Sequence, residues 1–532
     1  MNAVIPAPAT TVDSGGAPLT AGNWHIRSDP GLRAEADTLR ELLAPHLGPR
    51  LLPPGSTDEG HHLWLTSSPT PTTGPRTPVG VPPSGHDRPV DESYEMRVDA
   101  DGITCRAHTA TGAFRAGVTA AQLLITGPDL ITRQQLTDAP YFAWRGLMLD
   151  PARTFLDGTE LRRLIDLAAL YKLNAVHLHL TDNEGWRLEI PGFPGLTPAP
   201  DTADARRTYY TLTEYRDLQE YAARRHITLV PEIDLPGHCA TLRAAVPGLP
   251  DAPAPEGLAG RYPFVPPLDL TDARTREVVA AVLAEVCAAT RGPFVHIGGD
   301  EAFGATEQSL AASVRELRSL VGKFGKRPLA WQEASRAGVE PGDVLQHWVD
   351  VAMMDLPDTA DGLADRPELL AAGHTVERIR ALKRFFAPSD HDVARILAGG
   401  GRVLLSPQSH LYLDRPYAAE VTPADCPPER TGLGFPNYRP GSTRWAASWT
   451  PAGHGIPEER IAGVEATLFA ERLRGFDDVT TLLLPRLAGV AEAAWSGAAP
   501  DWESHRERLG RHAALWRARG LAYFPDSEIR WH

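Results

Sequence analysis

From about Tyr141 onward, short apolar runs alternate with longer stretches whose apolar positions recur at helical spacing. The strand-like runs are Arg145–Leu149, Ala175–Leu180, Thr228–Ile233, Phe294–Ile297, Pro328–Trp331, Val344–His347, Arg402–Leu405 and Ile461–Ala466. Between them lie helical patterns such as GTELRRLIDLAALYKL (158–173), TLTEYRDLQEYAARRH (211–226) and DARTREVVAAVLAEVCAAT (272–290). Eight strand–helix units in series predict an α/β fold: a (β/α)8 TIM barrel over residues 141–532, with a C-terminal helical extension.

The preceding residues follow another pattern. LRAEADTLRELLAPHL (32–47) has amphipathic helical spacing, while HHLWLTSS (61–68) and SYEMRVDADGITCRAHT (93–109) have strand-like spacing. Residues 21–140 therefore predict a small non-catalytic α/β domain, with a Pro/Gly/Thr-rich loop at 68–88. Residues 1–20 are rich in Pro, Ala and Thr, which predicts a disordered tail.

Charge narrows the function. The chain has 532 residues, 53 Lys+Arg against 67 Asp+Glu, and a formal net charge of −14. Without a Lys/Arg run, this acidic chain lacks the footprint of a nucleic-acid binder, and it does not suit an anionic membrane surface. No apolar stretch approaches the roughly 18 residues of a membrane span. Cys105, Cys239, Cys287 and Cys426 are scattered and form no CxxC pair, so neither a disulfide framework nor a zinc knuckle is expected. The opening MNAVIPAPATTVDSGG has no basic region and no long apolar core of a secretory signal. A cytoplasmic location is the expectation, or a secreted one where a leader has been removed.

Barrels of this type carry their catalytic groups at the C-terminal ends of strands. Here every strand candidate is followed by polar or aromatic residues. In order they are Arg153; His179 and Asp182; Asp234 and His238; Asp300 and Glu301; Trp331 and Glu333; Trp348; Tyr412 and Asp414; Phe469 and Glu471. That regularity predicts a site at the barrel mouth.

In HIGGDEAFG (296–304) two carboxylates are adjacent. Like charges side by side raise one pKa, as a general acid near neutral pH requires. Consecutive side chains diverge, so Asp300 and Glu301 cannot easily flank a scissile bond. The ordinary glycosidase pair is opposed, about 5 Å apart for retention or about 6.5–9.5 Å for inversion. The adjacent pair suits a different division: Glu301 protonates a leaving oxygen while Asp300 polarises a group on the substrate. A solvated acidic turn is the plainer alternative. Trp331, Trp348, Trp449, Tyr412 and Phe469 near strand ends favour a sugar-stacking rim, although any single Trp is more often core. His177 and His179, with His238, His296 and Asp300, also resemble a metal-dependent hydrolase set. That reading leaves the aromatics and Arg153 unused and finds no bridging Lys, so His177 reads as a core histidine facing the barrel interior.

Seven motifs occur in order: RGLMLDPAR (145–153), HLHLTDNEGWR (177–187), PEIDLPGH (231–238), HIGGDE (296–301), AWQE (330–333), HLYLD (410–414) and GVEATLFAE (463–471). Together they resemble glycoside hydrolase family 20, the β-N-acetylhexosaminidases, over about 141–500. Residues 101–124 are similar to the domain preceding the barrel in that family. The resemblance implies an exo-acting, retaining enzyme in which the substrate's 2-acetamido group is the nucleophile, an exception to the two-carboxylate scheme. It implies Glu301 as acid then base, Asp300 orienting the acetamide, and Tyr412 bonding its oxygen. It further implies Arg153 and Glu471 on the 3- and 4-hydroxyls, and Asp414 on hydroxyls near C4 and C6. Trp331 and Trp348 would wall the acetamide, with Asp182, Asp234, His238 and His179 supporting the acid from behind. The implied substrate is a terminal β-linked GlcNAc or GalNAc, and no metal or cofactor is needed.

Three features depart from the family pattern. Phe469 stands where a Trp is usual, Asn183-Glu184 follows Asp182, and 63 residues separate Trp348 from Tyr412. The extra segment, about 350–388, carries Met353, Met354, Phe385 and Phe386, and reads equally as a lid or subsite wall and as a surface insertion. Release of a disaccharide, preference for a modified amino sugar, and a weakly catalytic glycan-binding protein remain the alternatives.

Overall fold

A computed structural model of the chain describes residues 3–71, 77–127, 130–198, 207–253, 265–350, 356–371, 373–427 and 430–532. The N-terminal unit contains β1 (Thr10–Asp13), β2 (Leu19–Thr20), β3 (Trp24–Ser28), β4 (His61–Ser67), β5 (Tyr94–Val98), β6 (Gly102–Ala107), β7 (Leu130–Ile131) and β8 (Gln134–Asp138). Six of these form one sheet in the order β1-β8-β5-β6-β4-β3, while β2 and β7 pair separately. Helices Arg33–Leu47 and Ala110–Thr126 pack on this unit. On β4, Leu63 and Leu65 are buried while Trp64 between them is exposed, as the two-residue strand period requires.

Residues 3–20 do not form a disordered tail. Val4 and Ile5 are fully buried, and the Ile5 N–H donates to Gln122 Oε1 at 2.7 Å. Arg508 donates to the Val4 carbonyl at 2.9 Å, and β1 and β2 are paired strands. Composition misled here because the partners lie more than a hundred residues away, where no local pattern records them.

The barrel strands are β9 (Arg145–Leu149), β10 (Ala175–His179), β11 (Thr228–Glu232), β12 (Phe294–His296), β13 (Arg327–Trp331), β14 (Val344–His347), β15 (Arg402–Leu405) and β16 (Ile461–Leu468). They form a closed barrel in which β16 pairs with β9 in parallel. All eight predicted runs are strands, differing only at their ends. One end of the barrel is filled by an apolar cluster including Trp144, Ala175, Val230, Phe294, Leu329, Val344, Leu404 and Ala462. Further along, His177 and His179 follow Ala175 on one face of β10, and the interior turns polar.

A buried ionic contact bolts the N-terminal unit to the barrel. Glu92 Oε2 accepts from Arg115 Nε and from Arg145 Nη2, both at 2.7 Å. Burial alone would push the Glu92 carboxyl up; Arg145 and Arg115 outweigh that and hold it at about 2. Nearby, Lys172 donates to Asp138 at 2.8 Å.

Candidate active site

A cavity of about 290 Å³ opens at the C-terminal ends of the barrel strands. It gathers Arg153, His179, Asp182, Asp234, His238, Asp300, Glu301, Trp348, Tyr412, Phe469 and Glu471, so most of the residues singled out from sequence meet in one place. A second cavity, about 460 Å³, lies against the N-terminal unit; the one carboxylate lining it, Glu92, is the one neutralised by two guanidiniums.

The segment after β12 explains the need for two glycines. Gly298 and Gly299 have φ of +68° and +94°, and a Cβ at Gly298 would lie 1.6 Å from Asp234 Oδ1. Glu301 itself has φ of +39° without being glycine, an arrangement that costs about 1–3 kcal/mol and persists where the surroundings enforce it. His238, at the third strand end, also sits at positive φ, +45°.

Three carboxyls gather around one imidazole. His238 Nε2 lies 3.7 Å from Glu301 Oε2, 3.9 Å from Asp234 Oδ2 and 4.0 Å from Asp300 Oδ2. Its other nitrogen is 2.9 Å from Asp182 Oδ2. That oxygen also receives Arg153 at 2.6 Å and faces His179 Nε2 at 2.9 Å. His179 continues the chain to Glu232 at 2.6 Å.

Burial would raise the Asp182 carboxyl, but His238 and Arg153 hold it well below the usual range. Burial pulls the His238 imidazole down, and Asp182 reverses this and lifts it to about 9. Burial, then Asp234, pushes Asp300 well above the carboxylate range; burial, then Glu232, does the same to Asp234. Glu301 is raised by burial, with His238 and Arg153 partly offsetting it. Burial raises all three carboxyls, and His238 is a positive charge they share. Asp300 Oδ1 is buried with no hydrogen-bond partner, a free acceptor beside the cavity.

The aromatic groups divide. Trp348 and Tyr412 are parallel, with centroids 6.1 Å apart and 8° between planes, and the Trp348 indole donates to Glu333 at 3.0 Å. Phe469 lies 5.3 Å from Tyr412, under the Arg153 guanidinium at 5.7 Å. Trp331 is 1% exposed and donates to Glu232 Oε1 at 2.8 Å; it is the floor beneath Trp348 and Phe469 and does not line the cavity. Trp449 is a correction: its indole donates to His454 at 2.9 Å and its ring packs in the main core, away from the cavity. A Trp just past a strand end is not thereby at the rim. Asp414 is 2% exposed, and burial, then Glu471, raises its carboxyl; it sits behind Glu471 and does not line the cavity. The Asn183-Glu184 departure is also resolved. Glu184 accepts from Arg153 Nε at 3.1 Å, and Asn183 accepts from the Ala240 N–H at 3.1 Å.

Sequence reasoning missed the buried carboxylates Glu232 and Glu465. Glu465 accepts from Trp144 and faces His177 at 2.9 Å in both cases, and His177 also lies 3.2 Å from Glu232. A glutamate interrupting an apolar strand, as in VPEID and GVEAT, was the available signal. The groups His177–Glu232–His296, His179–Asp182–Asp234 and Asp234–His238–Asp300 each bring three possible metal-ligand atoms together. Each includes a histidine whose neighbouring carboxylates lift its pKa above neutrality despite burial. His177 faces Glu465, His179 faces Glu232 and His238 faces Asp182 at 2.6–2.9 Å, so each imidazole is tied into the ionic network.

Residues 142–498 match the profile described as glycosyl hydrolase family 20, catalytic domain, and residues 1–139 match glycosyl hydrolase family 20, domain 2. A β-N-acetylhexosaminidase from Cellulomonas fimi is 32% identical over 458 residues, covering 83% of this chain and 82% of the relative. The GH20 β-N-acetylhexosaminidase of Streptomyces coelicolor A3(2) superimposes with a TM-score of 0.76 at 30% identity, covering 100% of this chain and 99% of the other. A mutant Streptomyces plicatus β-hexosaminidase in complex with its product GlcNAc gives 0.75 at 30% identity, covering 100% and 98%. The chain belongs to glycosyl hydrolase family 20, and is a glycoside hydrolase.

Proposed function

We propose that this enzyme is an exo-acting, retaining β-N-acetylhexosaminidase that removes terminal β-linked GlcNAc, the substrate's own acetamide acting as nucleophile. The observation that carries this reading is the placement of Glu301, Asp234 and Asp300 within 4.0 Å of one His238 nitrogen. A scheme with a protein nucleophile needs its two carboxyls across the sugar from each other, about 5 Å apart. Asp300 and Glu301 are consecutive on one loop and both face His238, an arrangement suited to one acid and one group that orients the acetamide, with the nucleophile left to the substrate. The β-hexosaminidase relatives and the GlcNAc held by the Streptomyces plicatus protein favour the same sugar.

In the first step Glu301 gives its proton to the leaving oxygen while the acetamide oxygen bonds to C1 and the C1–O bond breaks. Asp300 Oδ1 accepts the amide N–H, and its charge stabilises the oxazolinium that forms. The Tyr412 hydroxyl donates to the acetamide oxygen and holds it for attack, beside the Trp348 ring. In the second step ionised Glu301 takes a proton from water as that water adds to C1, which restores the acetamide with net retention. Arg153 and Glu471, which line the cavity, hold the ring hydroxyls with Asp414 buried behind Glu471, and the Phe469 ring is the smaller platform under the sugar. None of these steps calls on a metal.

Nitrophenyl β-GlcNAc and nitrophenyl β-glucoside, assayed side by side, test the reading. Cleavage of the first and not the second is expected; equal cleavage of both would remove the acetamide from the mechanism. Loss of activity in a chelator would restore the metal reading.

A further inference from the structure

We propose that the insertion after Trp348 builds a leaving-group subsite: an apolar wall of Phe303, Leu382 and Phe386, edged by Arg378, that favours a leaving group with a flat apolar face. This rests on the role of Glu301 as the acid. Whatever departs from the sugar departs past the residue that protonates it, so side chains beside Glu301 on the open side meet the leaving group.

Phe303 stands two residues beyond Glu301, and its N–H donates to the Glu301 carbonyl at 2.5 Å. Its ring stacks on Phe385 of the helix Val376–Phe386, with centroids 4.2 Å apart, and meets Phe386 edge-on at 6.2 Å. Phe386 in turn meets the Trp348 ring edge-on at 5.7 Å. The helix is thus wedged between the loop of the acid and the aromatic slot, with its last turn forming part of the site.

Leu382 joins two apolar clusters. One is the insertion's own core of Leu356, Leu363, Leu369 and Ile379; the other is the site cluster of Trp331, Trp348, Phe386 and Tyr412. A surface excursion would have no such core. At the other end of the helix, His374 Nε2 lies 2.9 Å from Asn437 Oδ1 on the loop after β15. Leu356, Arg378, Leu382 and Phe386 line the same cavity as Asp300 and Glu301. Arg378 is exposed on that rim and forms no ion pair among the described residues, so its guanidinium is available to an acceptor at the edge of the leaving group. Met353 and Met354 lie outside the described residues.

The test compares 4-methylumbelliferyl β-GlcNAc with methyl β-GlcNAc in the unmodified protein, Leu382→Ala and Leu382→Met. The aryl-to-methyl ratio of kcat/KM is expected to fall about tenfold in Leu382→Ala, the scale of two lost methylene contacts, mainly through the aryl KM, and to hold in Leu382→Met. An unchanged ratio overturns the inference, as does an equal loss on both substrates, which would mean that the helix only props the sugar site. Arg378→Gln, at an exposed position, keeps the question open to test if Leu382→Ala fails to fold. It is expected to raise KM several-fold for the 4-nitrophenyl glycoside relative to the phenyl glycoside, and equal KM changes would remove Arg378 from the subsite. If the unmodified protein cleaves neither substrate, the proposed function falls and this inference with it; an unchanged ratio in an active enzyme sinks this inference alone.

Discussion

The carboxylates at the two ends of the barrel behave oppositely, although Glu92, Asp234 and Asp300 are all buried and Glu301 opens only partly to the cavity. Where the N-terminal unit meets the barrel, Glu92 lies between Arg115 and Arg145 and is held at about 2. At the other end, Asp234, Asp300 and Glu301 share one imidazole and are all pushed up. Burial raises the carboxyl in every case, and what differs is the supply of cations. Two guanidiniums on one carboxylate make a fastener. One imidazole among three carboxyls leaves each of them easier to protonate than a free carboxylate. The acid is therefore made by withholding counter-charge, and the Arg153 guanidinium beside it is itself engaged by Asp150, Asp182 and Glu184.

The largest effect should come from emptying the catalytic end. Glu301→Ala is expected to lose about 10²–10⁴-fold in kcat/KM on alkyl glycosides, the usual scale for a general acid. Steady-state kinetics measure it, and full activity would remove Glu301 from the acid role. At the fastened end, Glu92→Ala leaves two guanidiniums buried without their partner, and a loss of about 3–5 kcal/mol is expected in denaturant unfolding. A loss under about 1 kcal/mol would rank Glu92 with surface pairs instead. The same contact has a pH signature. Its folded value of about 2 is depressed from 4.5, so its stabilisation is complete above 4.5 and is lost as pH falls from 4.5 towards 2.

A subtler change shifts the balance of charge at the mouth. The acid must be protonated to act, so the rate falls as pH rises through the Glu301 pKa, and the His238 cation lowers that pKa. His238→Gln removes the cation and should move the alkaline limb of kcat/KM to higher pH; a limb that stays put or moves down contradicts the charge account. The smallest effect belongs to a pair at neither end. Arg97 and Asp99 are bridged at 2.7 Å with the arginine 62% exposed, and Asp99→Ala should change stability by less than about 1 kcal/mol.

The barrel could be read from the chain because strands buried on both faces are continuous apolar runs, each ended by a polar residue or a turn. The same geometry made the site legible, since every residue just past such a run is carried to one mouth. Depth could not be read. Trp331, Trp348 and Trp449 look alike in sequence, yet one is a floor held by Glu232, one lines the cavity and one is core behind His454. Contacts between distant segments escaped as well. Glu465 meets His177 from 288 residues away, and Val4 is held by Arg508 across 504. The segment at 350–388 stayed ambiguous for the same reason, because the ring its helix stacks on, Phe303, belongs to the loop after another strand.

The left-handed backbone at Glu301 sets the needs of folding against those of chemistry. Glycine would sit there with less strain, and only a carboxylic acid can carry the proton. A sequence library ranked on thermal stability alone should therefore enrich glycine at 301 and yield sturdier proteins that have lost their acid. The position is one where selection for activity must have opposed selection for stability, and engineering for robustness has to hold it fixed.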